Sequence, residues 1–147
     1  ALERSGVEVL VNGFSDRRRG RDTLHLAGCG DLWTGDFDMD FLSDAPSGPL
    51  VVLAHNPDTL YSLRHHNFDL MLSGHTHGGQ VRVPGVGALT TNCDLPTEQA
   101  RGLSVWYDAE RAAFLNVSAG LGASIYSPIR FACRPEASLI TLEAVRD

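Results

Sequence analysis

Leu50-Val51-Val52-Leu53-Ala54-His55-Asn56-Pro57-Asp58, followed at Phe68 by Phe-Asp-Leu-Met-Leu-Ser-Gly-His75-Thr76-His77-Gly78-Gly79-Gln80, is the stretch that decides the fold. The first apolar run, bounded by Pro49 and His55, has the mark of a strand buried on both faces of a parallel sheet. Asn56 suits a helix N-cap, Pro57 the first helical position, and Asp58 the positive end of the helix dipole. A helix is therefore expected from Pro57 to about His66, with Leu60 and Leu63 turned inward. Phe68 to Leu72 reads as the next buried strand. Strand, helix and strand make a βαβ unit, so the two strands are expected to be parallel neighbours with their carboxyl ends side by side. Ligands of open α/β sheets sit just beyond such ends. His55 follows one strand, and His75 and His77 follow the other. Three imidazoles are thus expected to converge from two separate loops.

Imidazole is the commonest metal ligand among side chains. In an extended loop a His-x-His pair sends both rings to one side. The flanking glycines, Gly74 and Gly78-Gly79, let the backbone turn sharply and approach what the rings hold. Taken alone, His75 and His77 fit a polar turn of hydrogen-bonding histidines equally well. The histidine on the neighbouring loop is what favours a metal site.

Length and composition bound the rest. The 147 residues suffice for a single domain, 1–147, with a core of its own. A net charge of −6 lacks the basic footprint of a general nucleic-acid binder, so no nucleic-acid partner is expected. No apolar run approaches the roughly 18 residues of a membrane span. Cys29, Cys93 and Cys133 are widely spaced and odd in number, which indicates free thiols rather than a zinc knuckle or a disulfide framework. A reducing, cytoplasmic setting fits them.

Along the chain, Ala1 to Gly6 reads as the last turn of a helix with Gly6 as its stop, so the chain is expected to continue something larger. Val7–Val11 and Thr23–Ala27 have strand character, with an exposed hairpin or loop between them that holds Arg17, Arg18, Arg19 and Arg21. This arginine cluster is either a solvated tip or a patch for anionic lipid or a phosphorylated substrate. Gly28 to Asp36 is a glycine-rich loop with two acids and Trp33, and a short helix is expected over Asp38–Leu42. Beyond Gln80 come short strands: 80–83, 87–91, 102–107, 113–117 and 138–145, with a hairpin turn at Asp108-Ala109-Glu110.

Leu53 to Asp58 and Ser73 to Gln80 resemble the last two metal-binding motifs of the calcineurin-like metallophosphoesterases. The Gly-His-x-His-Gly-Gly-Gln form is similar to a bacterial, membrane-associated branch of that family. Gly120-Leu121-Gly122, Pro128-Ile129-Arg130-Phe131, Arg134-Pro135-Glu136 and Leu139 to Leu142 are similar to the same branch. The resemblance implies an α/β fold, the C-terminal part of a four-layer α/β/β/α sandwich. It implies a hydrolase that cleaves phosphodiester or pyrophosphate bonds with two divalent metal ions and a bridging hydroxide. The ions would be Mn, Fe, Zn or Ni, with His55 and His75 on one and His77 on the other. Imidazole disfavours a pure Mg or Ca site.

The family's earlier motifs, which carry the bridging Asp and the catalytic Asn and His, have no counterpart here. Gly30-Asp31 and Gly35-Asp36 only superficially resemble one of them. The catalytic residues are accordingly expected upstream of Ala1, and the chain alone is expected to be inactive or weakly active. Asn56, Thr76 and Asp31 are candidate substrate-binding residues, with plain capping and turn formation as the other reading of Asn56. The implied partner is a phosphorylated small molecule or lipid, with an anionic membrane surface as a second partner. Bare edges on 50–54 and 68–72 would make the chain pair, swap or aggregate. The competing readings are a non-catalytic binding module that keeps the fold, and a mononuclear zinc site unrelated to phosphate.

Overall fold

A computed structural model describes residues 2–108, 111–124, 126 and 128–143. Its main element is a six-stranded mixed sheet built from β1 (Gly13–Arg19), β2 (Asp22–Gly28), β3 (Leu50–Leu53), β4 (Leu70–Ser73), β7 (Gly102–Asp108) and β8 (Arg111–Val117). The strand order is β1-β2-β3-β4-β8-β7, and a two-stranded ribbon of β5 (Arg82–Val83) and β6 (Gly87–Ala88) stands apart. The four inner strands run parallel, and the outer strands β1 and β7 are the antiparallel arms of hairpins. β3 and β4 are parallel neighbours, with Val51 opposite Leu70 and Leu53 opposite Leu72. The chain is α/β, as the apolar runs led us to expect.

One face of the sheet carries the core. Ala27, Val52, Met71, Leu115 and Val117 point to it and meet Leu60, Leu63, Phe41, Leu42 and Leu95 from the connections. Leu60, Leu63, Val52, Met71, Leu115 and Val117 are fully buried, and burial of such a side chain contributes about 1.5–3 kcal/mol. The opposite face carries Leu53, Leu72, Phe114 and Asn116, as the alternation along paired strands requires. Segments without ladder bonds lie on it. Leu10 packs so closely on Gly28 that a Cβ there would stand 2.3 Å from the leucine's Cβ, and Ser138 and Ile140 line a cleft beside Leu53 and Leu72. The described residues thus supply one sheet and one covering layer of the four-layer sandwich that the motifs imply.

Several local expectations need correction. Val7–Val11 is not a strand: Val7, Val9 and Val11 are about half exposed, at 48%, 45% and 59%, with no ladder partner to reward their β-branched shape. The arginine segment is a hairpin, one of the two forms expected of it, but its first arm is β1 itself, with Arg17, Arg18 and Arg19 on that strand and Arg21 at its turn. The helix expected to run to His66 is a single turn, α1 (Thr59–Ser62), closed at Leu63 by φ −90° and ψ 2°. His65, His66 and Asn67 are weak helix formers, and four-residue strands need no longer crossover. The helix expected over Asp38–Leu42 is a 3₁₀ turn over Asp40–Asp44. Residues 138–143 form no strand, and the rest of that expected strand lies outside the described residues. The hairpin of β7 and β8 closes at Asp108 opposite Arg111, with Ala109 and Glu110 outside the described residues. Nor are 50–54 and 68–72 bare, because β2 covers β3 and β8 covers β4. The sheet edges belong to β1 and β7, so the reason given for swapping falls away.

Candidate metal centre

The carboxyl ends of the parallel strands converge on one edge, where β2 runs on to Asp31, β3 to His55, β4 to His75 and β8 to the loop at 118–122. Backbone bonds continue past the strands and lock these loops together. The Gly74 amide donates to the His55 carbonyl at 3.1 Å, the Cys29 amide to Leu53 at 2.9 Å, and the Ser118 amide to Ser73 at 2.8 Å. His55 and His75 therefore meet with ring centroids 5.2 Å apart and planes at 84°.

The donor set fits part of a metal site. Two imidazoles on one ion, at about 2.1 Å from each nitrogen and a roughly tetrahedral angle, place their centroids about 5 Å apart. The observed spacing matches that. Burial, and then the neighbouring His55, hold the His75 imidazole below its ordinary range, which favours the neutral form that a ligand needs. Asp31 stands near both rings. The amides of Thr34 and Trp33 hold its carboxyl low, with smaller contributions from His55 and His75. Among the described residues no three His, Cys, Asp or Glu side chains group closely enough to complete a cage. Burial pushes the Cys29 thiol up to about 12, so that sulfur is no thiolate ligand at neutral pH.

His77 is the third imidazole, and it does not join the ring pair. Its Nδ1 lies 3.3 Å from the Gly122 carbonyl oxygen. His75 at φ +67°, His77 at φ +50° and Gln80 at φ +44° all have a positive φ that L-residues rarely adopt. Each such residue costs about 1–3 kcal/mol and persists only where its surroundings hold it. The holding contacts are visible. The Thr76 hydroxyl donates to the Ala100 carbonyl at 2.8 Å and accepts from the Gly78 amide at 3.1 Å. A Cβ on Gly79 would stand 2.5 Å from that of Ala88. The Ser124 amide donates to Gln80 Oε1 at 2.6 Å, and the Phe131 amide donates to the Gln80 carbonyl at 2.8 Å.

The other candidates separate. Thr76 is buried and committed to that turn, so the structure gives it a building role in place of the expected substrate contact. Asn56 is also buried, with its Oδ1 accepting from the Asp58 amide at 2.9 Å as a cap does, while its Nδ2 has no partner among the described residues. The Ser73 hydroxyl, two residues before His75, is likewise buried and has no partner among the described residues. Sequence reasoning missed Asn92, whose Nδ2 lies 3.3 Å from His75 Nε2, and Trp33, whose ring meets His75 edge-on at 4.5 Å. The acid-rich loop after Gly28 was the only hint of the second. A cleft of ≈ 400 Å³ runs from His55 and Gly74 between Leu53, Leu72 and Asn116 to Ile140.

Comparison with known proteins bears on this edge. The chain is 39% identical over 144 residues to phosphodiesterase YaeI of Escherichia coli, covering 96% of the chain and 49% of that protein. It is 33% identical over 126 residues to UDP-2,3-diacylglucosamine pyrophosphatase LpxG of Chlamydia trachomatis, covering 81% of the chain and 37% of the relative. Against the metallophosphoesterase YkuE of Bacillus subtilis it is 30% identical over 146 residues, covering 92% and 49%. No family model and no solved structure matches the chain. The chain spans half or less of the length of these relatives. A histidine-bearing edge on a parallel sheet, in a sequence aligned over nearly all its length with such proteins, has one reading: the chain belongs to the metallophosphoesterase family.

Proposed function

We propose that the protein carrying this chain hydrolyses phosphodiester or pyrophosphate bonds, with two divalent transition ions held in part by His55, His75 and His77. The observation that carries the reading is the imidazole pair, 5.2 Å apart at the ends of neighbouring parallel strands. When bound, such ions polarise phosphate oxygens and supply a nucleophile at neutral pH. The chain's own part is to hold neutral donors still. His55 and His75 leave the ions' charge undiminished for the phosphate. Asp31, kept ionised by the Trp33 and Thr34 amides, adds a fixed negative charge and an acceptor beside them. The half of the relatives that this chain does not span is the source we propose for the bridging carboxylate and the remaining ligands. The substrate class we favour is a phosphoester bearing an apolar group. One relative is named for a diacylated sugar nucleotide, and Trp33, 63% exposed, offers an apolar wall against His75.

The test uses the longest natural protein that contains this sequence. Bound manganese is counted by mass spectrometry, and turnover of bis(p-nitrophenyl) phosphate is followed with and without chelator. Metal-dependent turnover that His55→Ala, His75→Ala and His77→Ala each abolish, with the fold retained, is expected. Metal bound without turnover of any phosphoester would favour the binding module. A His75→Ala variant that keeps both metal and turnover would overturn the site.

A further inference from the structure

A carbonyl oxygen holds two lone pairs, and at Gly122 both are in use. One faces His77 Nδ1 at 3.3 Å. The other side is taken by Arg130, whose Nε donates at 3.0 Å and whose Nη2 also donates to it. The same guanidinium donates from Nη2 to the Ala119 carbonyl at 2.7 Å and to Gly120 at 3.2 Å, and from Nη1 to the His77 carbonyl at 3.2 Å. Four carbonyls from two loops, the one after β4 and the one after β8, thus close on one cation. A carbonyl oxygen can only accept, and a guanidinium cannot be deprotonated in a protein, so the clamp holds these oxygens in place whatever the pH.

The consequence falls on His77. Facing a carbonyl, its Nδ1 must carry the ring proton, which leaves the Nε2 lone pair free. We propose that Arg130 is a positioning residue for His77: by clamping Gly122 it selects the Nδ1–H tautomer and presents Nε2 as the metal-binding nitrogen. Metal-ligating histidines in general owe tautomer and ring orientation to such outer partners. Arg130 also holds the backbone of His77 at its left-handed φ of +50°, because the His77 carbonyl is a second of its acceptors. Lysine could reach one or two of these oxygens, but its compact ammonium lacks the planar fork that spans four. The metal half of the proposal rests on the reading of His77 as a ligand, and the tautomer half does not.

The experiment records long-range ¹H–¹⁵N spectra of the histidine rings in the metal-stripped natural protein, for the parent, Arg130→Gln, Arg130→Lys and Cys133→Ala. Cys133 is the control: its Sγ reaches the His77 carbonyl at 3.4 Å and receives Arg130 Nη1 at 3.7 Å as part of the same packing, while the Nε and Nη2 bonds that clamp Gly122 do not involve it. The parent and Cys133→Ala are expected to show His77 as Nδ1–H. Arg130→Gln is expected to shift it toward Nε2–H and to weaken manganese binding by about 10–100-fold, with Arg130→Lys between. An unchanged His77 ring in Arg130→Gln, or in Arg130→Lys should the glutamine variant not fold, overturns the proposal. An equal shift in Cys133→Ala also overturns it, because general loosening of the loops then suffices. A shifted ring with unchanged metal binding would instead remove His77 from the ligands and leave Arg130's positioning of the ring standing.

Discussion

Replacing Gly78 by alanine tests the turn on which the second histidine motif is built. Gly78 has φ +64°, and a Cβ there would stand 2.9 Å from Ala119 Cβ, 2.9 Å from Cys133 Sγ and 3.3 Å from Arg101 Cδ. The left-handed backbone costs an L-residue about 1–2 kcal/mol. Ala119 has no rotamer to yield and Cys133 is buried, so overpacking adds about 1–3 kcal/mol. The expected loss is their sum, about 2–5 kcal/mol, a large part of a typical stability of about 5–15 kcal/mol. Gly85 is the control, since it has φ +80° and nothing within 4 Å of the added Cβ. Alanine there bears only the backbone cost. Urea unfolding should therefore separate the two variants by about 1–3 kcal/mol, the packing contribution alone. Function should separate them as well. The Gly78 amide is tied to Thr76 and its carbonyl to Arg82 Nη1, so a displaced turn carries His77 with it. Manganese affinity is expected to fall in Gly78→Ala and to hold in Gly85→Ala. Equal stabilities for the two variants would mean that the tail around Cys133 does not press on the turn, and the reasoning would fail.

Two further expectations are independent of the histidines. Hydrogen bonds from Arg101 at 2.9 and 2.6 Å hold the Glu136 carboxyl below its ordinary range, helped by the Ala119 amide. A carboxyl depressed in the folded state stabilises above its unfolded pKa of about 4.3 and loses that contribution as pH falls through the folded value. Glu136→Gln should thus be less stable than the parent at pH 7 and approach it as pH falls below the ordinary carboxyl range, while a gap that is constant with pH would refute the pairing. On the first hairpin, Arg17 is paired with Glu8 at 2.6 Å and Arg18 with Asp16 at 3.7 Å, and among the described residues Arg19 and Arg21 are the hairpin arginines left for an anionic lipid surface. Co-sedimentation with phosphatidylserine vesicles is expected to weaken with salt and to fall more in Arg19→Ser/Arg21→Ser than in Arg17→Ser/Arg18→Ser. Binding indifferent to salt and to both variants would rule the surface out.

The sequence by itself determined the parallel pair of β3 and β4, because runs such as Leu-Val-Val-Leu are affordable only where both strand faces are covered. From that pair and the positions of His55 and His75, the meeting of two imidazoles followed. Gly6 as a helix stop was equally local: its φ is +76° and its amide returns to the Glu3 carbonyl at 3.0 Å. What the tertiary structure alone decided involves partners far along the chain. Val7–Val11 has the composition of a strand, yet the fold lays it across the sheet, with Leu10 on Gly28, and it joins no ladder among the described residues. The motif Gly-Gly after His77 shows that a close approach is needed, but not that Ala119, Cys133 and Ala88 make it. Thr76 looks as available as the histidines until the Ala100 carbonyl, 24 residues on, claims its hydroxyl. Arg130 reaches His77 across 53 residues. Periodicity reports which side of a segment is buried. Loop-to-loop bonds across such separations leave no periodic trace, and they set the tautomer, the turn and the spacing of the rings.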